Sequence, residues 1–422
     1  MKFNIRLFKL DTNSIFKSFF SVFIFNLISA FLGFMLNIIL ARYFDVETYG
    51  NISYFIASFL VLYTIFEFGF GNTLVILKSK YENNLKNYVN DTINTHFLIF
   101  SLILLIFTEL IIQLFGEQLK LQIYESRILI TSSFIFALYN YLISIYQADG
   151  KWMRYNYFNL LSNFLKFFIF IIVIFLYSNI FDINFTFKLF TRTYLVYTLI
   201  LFLVTLYFIY PHIHFKGIKL HFPLYKTLIP LGITNLIVIL AMRVDNFIIL
   251  HKLDNYQLGI YSAANSFALF FPIITGSLMK VLLRESANQG INYLKKIIDI
   301  QKKYFIHLII FIIIIIFTSK YLIIFFFGSK YLYSIPIFQV LSIVYIGGVF
   351  FTPLESYFFS NHQTLIMLIR ILQLLIIIIF GFLLIDLFGL IGMAIAIVLS
   401  RIIAWFYFTI KSKKVIFKLS IK

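Results

Sequence analysis

Long apolar segments, each followed by a short polar turn, recur along the whole chain. A helix that crosses a bilayer needs about 20 mostly apolar residues, and twelve segments meet this requirement. The predicted spans are residues 15–40, 50–77, 92–115, 128–147, 155–177, 190–210, 227–250, 257–282, 304–326, 333–358, 363–385 and 388–410. The pattern therefore predicts an all-α polytopic membrane protein with about 12 transmembrane helices.

The composition supports a membrane protein and argues against a soluble one. Of the 422 residues, 61% are hydrophobic and 12% are charged, whereas a soluble domain has about 45–50% apolar and about 25% charged residues. Lys and Arg are about three times as frequent in loops on one side of the predicted spans, and this bias marks the cytoplasmic side. It predicts that both termini are cytoplasmic. The net charge of +18 is spread over these short loops, so a nucleic-acid partner is not expected.

A half-chain repeat becomes visible when the sequence is shifted by 209 residues. Asn37 then aligns with Asn246, and the turn DVETYGNIS aligns with DNYQLGIYS. Nine of the thirty positions from Ile24 to Ser53 are identical in the two copies; the alternative explanation is chance similarity between two membrane hairpins. In transporters built from parallel repeats, the substrate site lies between the halves near the midplane. We therefore predict two six-helix lobes, residues 1–213 and 214–422, around a central cavity.

Several segments resemble a known family of exporters. They are NIILARYFDVETYGNISYFIASF and FEFGFGN in the first half, and IPLGITNLIVILAMRVDNFIILHKLDNYQLGIYSAANSF, FGSKYLYSIPIFQVLSI and LFGLIGMAIAIVLSR in the second. They are similar to polysaccharide exporters and O-antigen flippases of the Wzx type, within the multidrug/oligosaccharidyl-lipid/polysaccharide (MOP) exporter superfamily. The resemblance implies two six-helix lobes around a central cavity. It also implies alternating-access export of an undecaprenyl-pyrophosphate-linked oligosaccharide across the bacterial inner membrane.

Charged side chains inside the predicted spans are the candidate functional residues, because each costs roughly 2.5–3.5 kcal/mol near the bilayer centre unless it faces a cavity or a partner. They are Glu67, Glu109, Lys166, Arg243, Asp245, Glu355, Arg370 and Arg401. Arg243 and Asp245 are two residues apart, which is about 200° around a helix. They cannot pair along one face, so each needs a different partner. Arg370 or Arg401 is a candidate partner for Asp245.

The four cations suggest an anion-binding cavity. We expect Arg243, Lys166, Arg370 and Arg401 to contact a pyrophosphate or acidic sugars, because the planar guanidinium donates two hydrogen bonds to phosphate oxygens. The alternative is that each cation only neutralises a nearby carboxylate and holds the helices in register. Asp245, Glu67 and Glu355 are candidates for coupling-ion sites or for such structural pairs.

Three classes of function remain open at this point. The first is a lipid-linked oligosaccharide flippase, and the second is an ion-coupled multidrug or small-molecule exporter of the same superfamily. A drug exporter would favour one or two acidic residues in an aromatic cavity, whereas Lys and Arg occupy the deepest positions here. The third is a glycan polymerase or ligase, which the short exterior loops and the repeat disfavour, so we do not expect an enzyme.

The expected ligands and partners follow from these patterns. The sequence contains no Cys and no ATP-binding motif, so we expect neither a metal nor a cofactor. The expected partners are the lipid-linked oligosaccharide and membrane lipids, with H+ or Na+ as a candidate coupling ion. We expect a monomer in the bacterial cytoplasmic (inner) membrane.

Overall fold

The computed structural model describes residues 12–80, 83–115, 121–180, 185–209, 222–267, 275–276, 279, 282, 286, 291–361 and 363–420. This part of the chain is folded into α-helices joined by short turns, with one 3-10 helix at Ser329–Ser334. The helices are α1 (Thr12–Tyr43), α2 (Val46–Glu67), α3 (Phe70–Lys80), α4 (Asn83–Phe115), α5 (Ile123–Ala148), α6 (Trp152–Asn179), α7 (Phe187–Ile209), α8 (Phe222–Lys252), α9 (Asn255–Ser266), α10 (Ile291–Phe327), α11 (Ile335–Asn361) and α12 (Gln363–Ser420).

The predicted polytopic all-α class is confirmed. Ten helical segments of the described residues are long and apolar enough to cross a membrane. The structure therefore has two candidate spans fewer than the twelve predicted, for two reasons. The span predicted at 257–282 lies mostly outside the described residues after Phe267. The last two predicted spans form the single segment α12, which Gly389 interrupts because its φ of 58° and ψ of −138° are not helical.

The second predicted span, residues 50–77, is not one continuous helix. α2 ends at Glu67, and Phe68 and Gly69 both have positive φ, 40° and 78°, before α3 begins. The Glu67 carboxylate stabilises this break, because its two oxygens accept hydrogen bonds from the backbone N–H groups of Gly69 (2.9 Å) and Gly71 (2.6 Å). A carboxylate at a helix N-terminus satisfies donors that the helix itself leaves free. Gly69 also packs directly against Gly232 of α8.

The helices form two groups that meet where α2 packs against α8 and α9. In the first group α5 packs on α2, α3, α4 and α7, and α6 packs on α1; in the second, α12 packs on α8 and α11, and α10 packs on α11. This is the expected two-lobe arrangement. The predicted boundary between residues 213 and 214 lies outside the described residues.

The α2–α9 contact displays the half-chain repeat directly. Asp45 and Asp254, 209 residues apart, are the N-caps of α2 and α9 and accept hydrogen bonds from the backbone N–H three residues later. A Cβ atom added to Gly50 would lie 1.8 Å from the Asn255 carbonyl oxygen, and one added to Gly259 would lie 2.0 Å from the Val46 carbonyl oxygen. Val46 and Asn255 are also 209 residues apart, so the contact is reciprocal, as a two-fold axis between the helices requires.

The two ends of the bundle can be named from these turns. The α1–α2 and α8–α9 turns lie at the Asp45 end. The end of α3 and the α5–α6 turn, where Lys78 pairs with Asp149 at 2.5 Å, lie at the opposite, Lys78 end.

Hydrogen bonds between the lobes close the Asp45 end. Arg42, at the end of α1, donates to the carbonyl oxygen of Phe326 in α10 at 2.8 Å. The Tyr331 hydroxyl donates to the Ala41 carbonyl at 3.0 Å, and Lys330 donates to the Arg42 carbonyl at 3.1 Å. Together with the α2–α9 contact, these bonds hold the first lobe against the second.

Candidate functional site: a cationic cavity between the lobes

A cavity of about 510 Å³ lies between the two lobes. Its walls come from α1, α2, α6 and α7 of the first lobe and from α8 and α9 of the second. The volume falls in the range of about 300–1,000 Å³ that is typical of ligand pockets. The repeat predicts such a cavity, because α1 and α8 are its equivalent helices and both contribute to the wall.

Two of the four candidate cations line this cavity. Lys166 projects from α6 and Arg243 from α8, so one cation comes from each lobe. Among the residues that the structure describes, neither side chain has a hydrogen-bonding or ion-pairing partner, and Arg243 Nε is buried without one. Desolvated charges are unfavourable unless they are paired. The cavity is therefore suited to an anion that contacts both lobes.

Five asparagines accompany the cations in the cavity wall: Asn26, Asn37, Asn163, Asn246 and Asn265. Asn37 and Asn246 are equivalent in the repeat. Asn37 Nδ2 donates to the Gly33 carbonyl at 3.0 Å, whereas Asn246 is buried and its Oδ1 has no partner among the described residues. Sequence reasoning did not name these amides as site residues, although their repetition in apolar spans was the available signal.

Asp245 points away from the cavity and into the second lobe. The Tyr261 hydroxyl of α9 donates to Asp245 Oδ2 at 2.8 Å, and the Asn246 backbone N–H donates to Oδ1 at 2.9 Å. Asp245 is buried and is not among the lining residues of the cavity. Its contact ties α8 to α9, which agrees with the opposite directions expected for residues two positions apart.

The suggested pairing of Asp245 with Arg370 or Arg401 was wrong. Arg370 Nη2 pairs with Glu355 Oε2 at 2.9 Å, and its Nη1 donates to Gln373 Oε1 at the same distance. Arg401 lies near this pair and interacts electrostatically with both of its charges. The three ionisable side chains form a cluster between α11 and α12, outside the described lining of the central cavity. The structure therefore does not bring Arg370 and Arg401 together with Lys166 and Arg243.

Glu67 borders a second cavity of about 300 Å³, which lies nearer the Lys78 end than the first. Both carboxylate oxygens are occupied by the backbone N–H groups of Gly69 and Gly71. Within the described part of the chain, no group of three or more His, Asp or Glu residues could hold a metal ion.

Comparison with known proteins relates this architecture to transporters. A lipid II flippase, MurJ, in an inward closed conformation has a TM-score of 0.77 and 21% identity over 93% of this chain and 87% of that one. A multidrug resistance MATE family transporter of the MOP superfamily, in an inward-facing conformation, has a TM-score of 0.71 and 16% identity over 93% and 95% of the two chains. An outward-facing MATE structure has a TM-score of 0.66 and 14% identity over 96% of each chain.

The TM-scores over most of each chain show a shared fold. No curated protein matches the chain in sequence. The sequence pattern of one family, described as "Polysaccharide biosynthesis protein", matches residues 15–283, which include most of α1, all of α2 to α9 and both cavity cations. The resemblance found in the sequence is thereby confirmed, and this multi-pass membrane protein belongs to the polysaccharide biosynthesis protein family.

Proposed function

We propose that this protein is a flippase that moves an undecaprenyl-pyrophosphate-linked oligosaccharide from the inner to the outer leaflet of the bacterial inner membrane by alternating access. The observation that carries the proposal is the pair Lys166 and Arg243, one from each lobe, which face a common cavity and form no ion pair or hydrogen bond with a described residue. A pyrophosphate can accept hydrogen bonds from both side chains at once. The family and the MurJ and MATE folds support transport rather than catalysis.

The orientation in the membrane follows from the charge bias. We place the Lys78 end and both termini in the cytoplasm, because Lys and Arg are concentrated in loops on that side. The Asp45 end, which the cross-lobe hydrogen bonds close, then faces the exterior.

Removing the guanidinium from the cavity tests the proposal. Arg243→Ala should abolish glycan export in a complemented deletion strain. It should also weaken binding of undecaprenyl pyrophosphate to the purified protein more than tenfold, because loss of one partner of a desolvated charge pair costs about 2 kcal/mol or more. Arg243→Lys should restore export only partly, because a point charge lacks the bidentate geometry. Lys166→Ala should also reduce binding.

Arg127→Ala is the matched control. Arg127 is a half-exposed cation that pairs with Glu109 at 3.1 Å and is not among the lining residues of the cavity, so its removal should leave export intact. Normal export by Arg243→Ala at normal abundance would refute the assignment. Loss of drug efflux without loss of glycan export would favour the multidrug exporter instead.

A further inference from the structure

The second cavity differs in chemistry from the first. Four amide side chains line it, those of Asn72, Asn140, Gln147 and Asn235. None of these side chains forms a hydrogen bond with any residue that the structure describes. Each amide has two N–H donors and one carbonyl acceptor, and all of them face a space of about 300 Å³. Asn140, Gln147 and Asn235 are half-buried and Asn72 is exposed, so their unused donors and acceptors are accessible to a hydrogen-bonding molecule in this cavity.

The lining does not favour an ion. The described lining contains no Lys or Arg, so no described cation faces an anion there. Glu67, the carboxylate among the described lining residues, already accepts hydrogen bonds through both oxygens from the backbone N–H groups of Gly69 and Gly71. The hydroxyl groups of Tyr63 and Tyr155 also line the cavity. Neutral groups that both donate and accept, as sugar hydroxyls do, match this set best.

The position of the cavity relates it to the cationic site. Along α8, Asn235 lies eight residues before Arg243, which is about 12 Å toward the Lys78 end. Along α6, Tyr155 lies eleven residues before Lys166, about 16 Å in the same direction. A ligand with its anionic part between Lys166 and Arg243 must therefore span about 12–16 Å to reach the amide-lined cavity.

We propose that the amide-lined cavity is a binding subsite for uncharged sugar residues of the transported glycan, separate from the pyrophosphate subsite. This inference rests on the proposed flippase function and deepens it. It assigns the choice of glycan to Asn72, Asn140, Gln147 and Asn235. The small volume admits only the part of the glycan near the pyrophosphate, since about 300 Å³ is the lower limit for ligand pockets.

Because the chain contains no Cys, single reporter cysteines can follow both subsites. Val238→Cys places a thiol in the wall of the amide-lined cavity without removing an amide; Val238 is 41% exposed. Ser29→Cys places one in the wall of the cationic cavity. The measurement is the rate of thiol labelling of the purified protein. The probes are undecaprenyl pyrophosphate and the total lipid-linked oligosaccharide extracted from the native host.

The extract should slow labelling of both cysteines, about tenfold at ten times its Kd. Undecaprenyl pyrophosphate, which has no glycan, should slow labelling of Ser29→Cys alone. Protection of Ser29→Cys but not Val238→Cys by the extract would overturn the subsite and leave the proposed function standing. Protection of neither would overturn the proposed function. Equal protection of Val238→Cys by undecaprenyl pyrophosphate would show that lipid, and not glycan, fills the cavity.

Apolar variants separate binding from folding. Adding Asn140→Leu or Asn235→Leu to Val238→Cys should weaken protection by the extract about 2- to 10-fold per lost hydrogen bond. Thermal stability should not fall, because these amides have no hydrogen-bonding partner among the described residues. Gln339→Met is the matched control: Gln339 Nε2 donates to Ser319 Oγ at 2.9 Å, so this variant should lose stability and keep protection. Full protection in the Asn140→Leu and Asn235→Leu variants would overturn the proposal.

Discussion

Replacing Gly50 with alanine should open the Asp45 end of the protein. The added Cβ would lie 1.8 Å from the Asn255 carbonyl oxygen, whereas real Cβ atoms essentially never approach other atoms more closely than 3.0 Å. The obstructing atom belongs to the backbone of α9, so no side-chain rotation relieves the clash. α2 and α9 must therefore separate by about 1.2 Å or more at this point.

The expected magnitude follows from overpacking. An extra methyl in a tightly packed contact costs about 1–3 kcal/mol, and here the cost falls only on conformations in which α2 and α9 touch. The ratio of open to closed Asp45 ends should rise about 5- to 150-fold. Gly259→Ala should have a similar effect, because its Cβ would meet the Val46 carbonyl oxygen at 2.0 Å.

Spin labels can measure this change. Glu47→Cys and Tyr256→Cys place labels at exposed, repeat-equivalent positions on α2 and α9, and pulsed electron paramagnetic resonance reports the distance between them. Gly50→Ala should add a longer-distance population. Gly348→Ala should not, because no atom lies within 4 Å of its Cβ position. An unchanged distance distribution in a Gly50→Ala protein of normal stability would refute the reasoning.

Two further predictions concern the buried carboxylates. Asp245→Leu should lower the free energy of unfolding by about 1–3 kcal/mol, because it leaves the Tyr261 hydroxyl buried without an acceptor. Asp245→Asn retains a carbonyl oxygen and should lower the free energy of unfolding by less. Thermal denaturation in detergent measures both variants. Glu67→Ala should lower the free energy of unfolding by about 1–3 kcal/mol, because it removes the acceptor for the Gly69 and Gly71 N–H groups at the break between α2 and α3. Glu67→Gln should lower it by less, because the amide oxygen still accepts one of these hydrogen bonds. Equal stability of Asp245→Leu and Asp245→Asn, or of Glu67→Ala and the wild type, would contradict these roles.

The sequence was sufficient for the fold class and for most spans, because the bilayer requires long apolar helices and leaves few alternatives. The repeat could also be found from sequence, since Asp45 and Gly50 have equivalents that perform the same N-capping and close packing. The break after Glu67 could not. Residues 50–77 are apolar enough to suggest one helix, and only the position of the Glu67 carboxylate relative to Gly69 and Gly71 stabilises the interruption.

The candidate site was less predictable, because a charge within a span has two physical solutions. Arg370 lies beside Glu355 and is neutralised within its own lobe, whereas Lys166 and Arg243 face a cavity and form no ion pair with a described residue. Sequence position gives the cost of each charge but not the identity of its neighbour, so all four cations looked equivalent. Asparagine carries no charge, and the asparagines in the spans were therefore not counted as costly. Yet amides also require hydrogen-bonding partners within a membrane, and the amide positions trace both cavities, from Asn246 beside Arg243 to Asn235 nearer the Lys78 end.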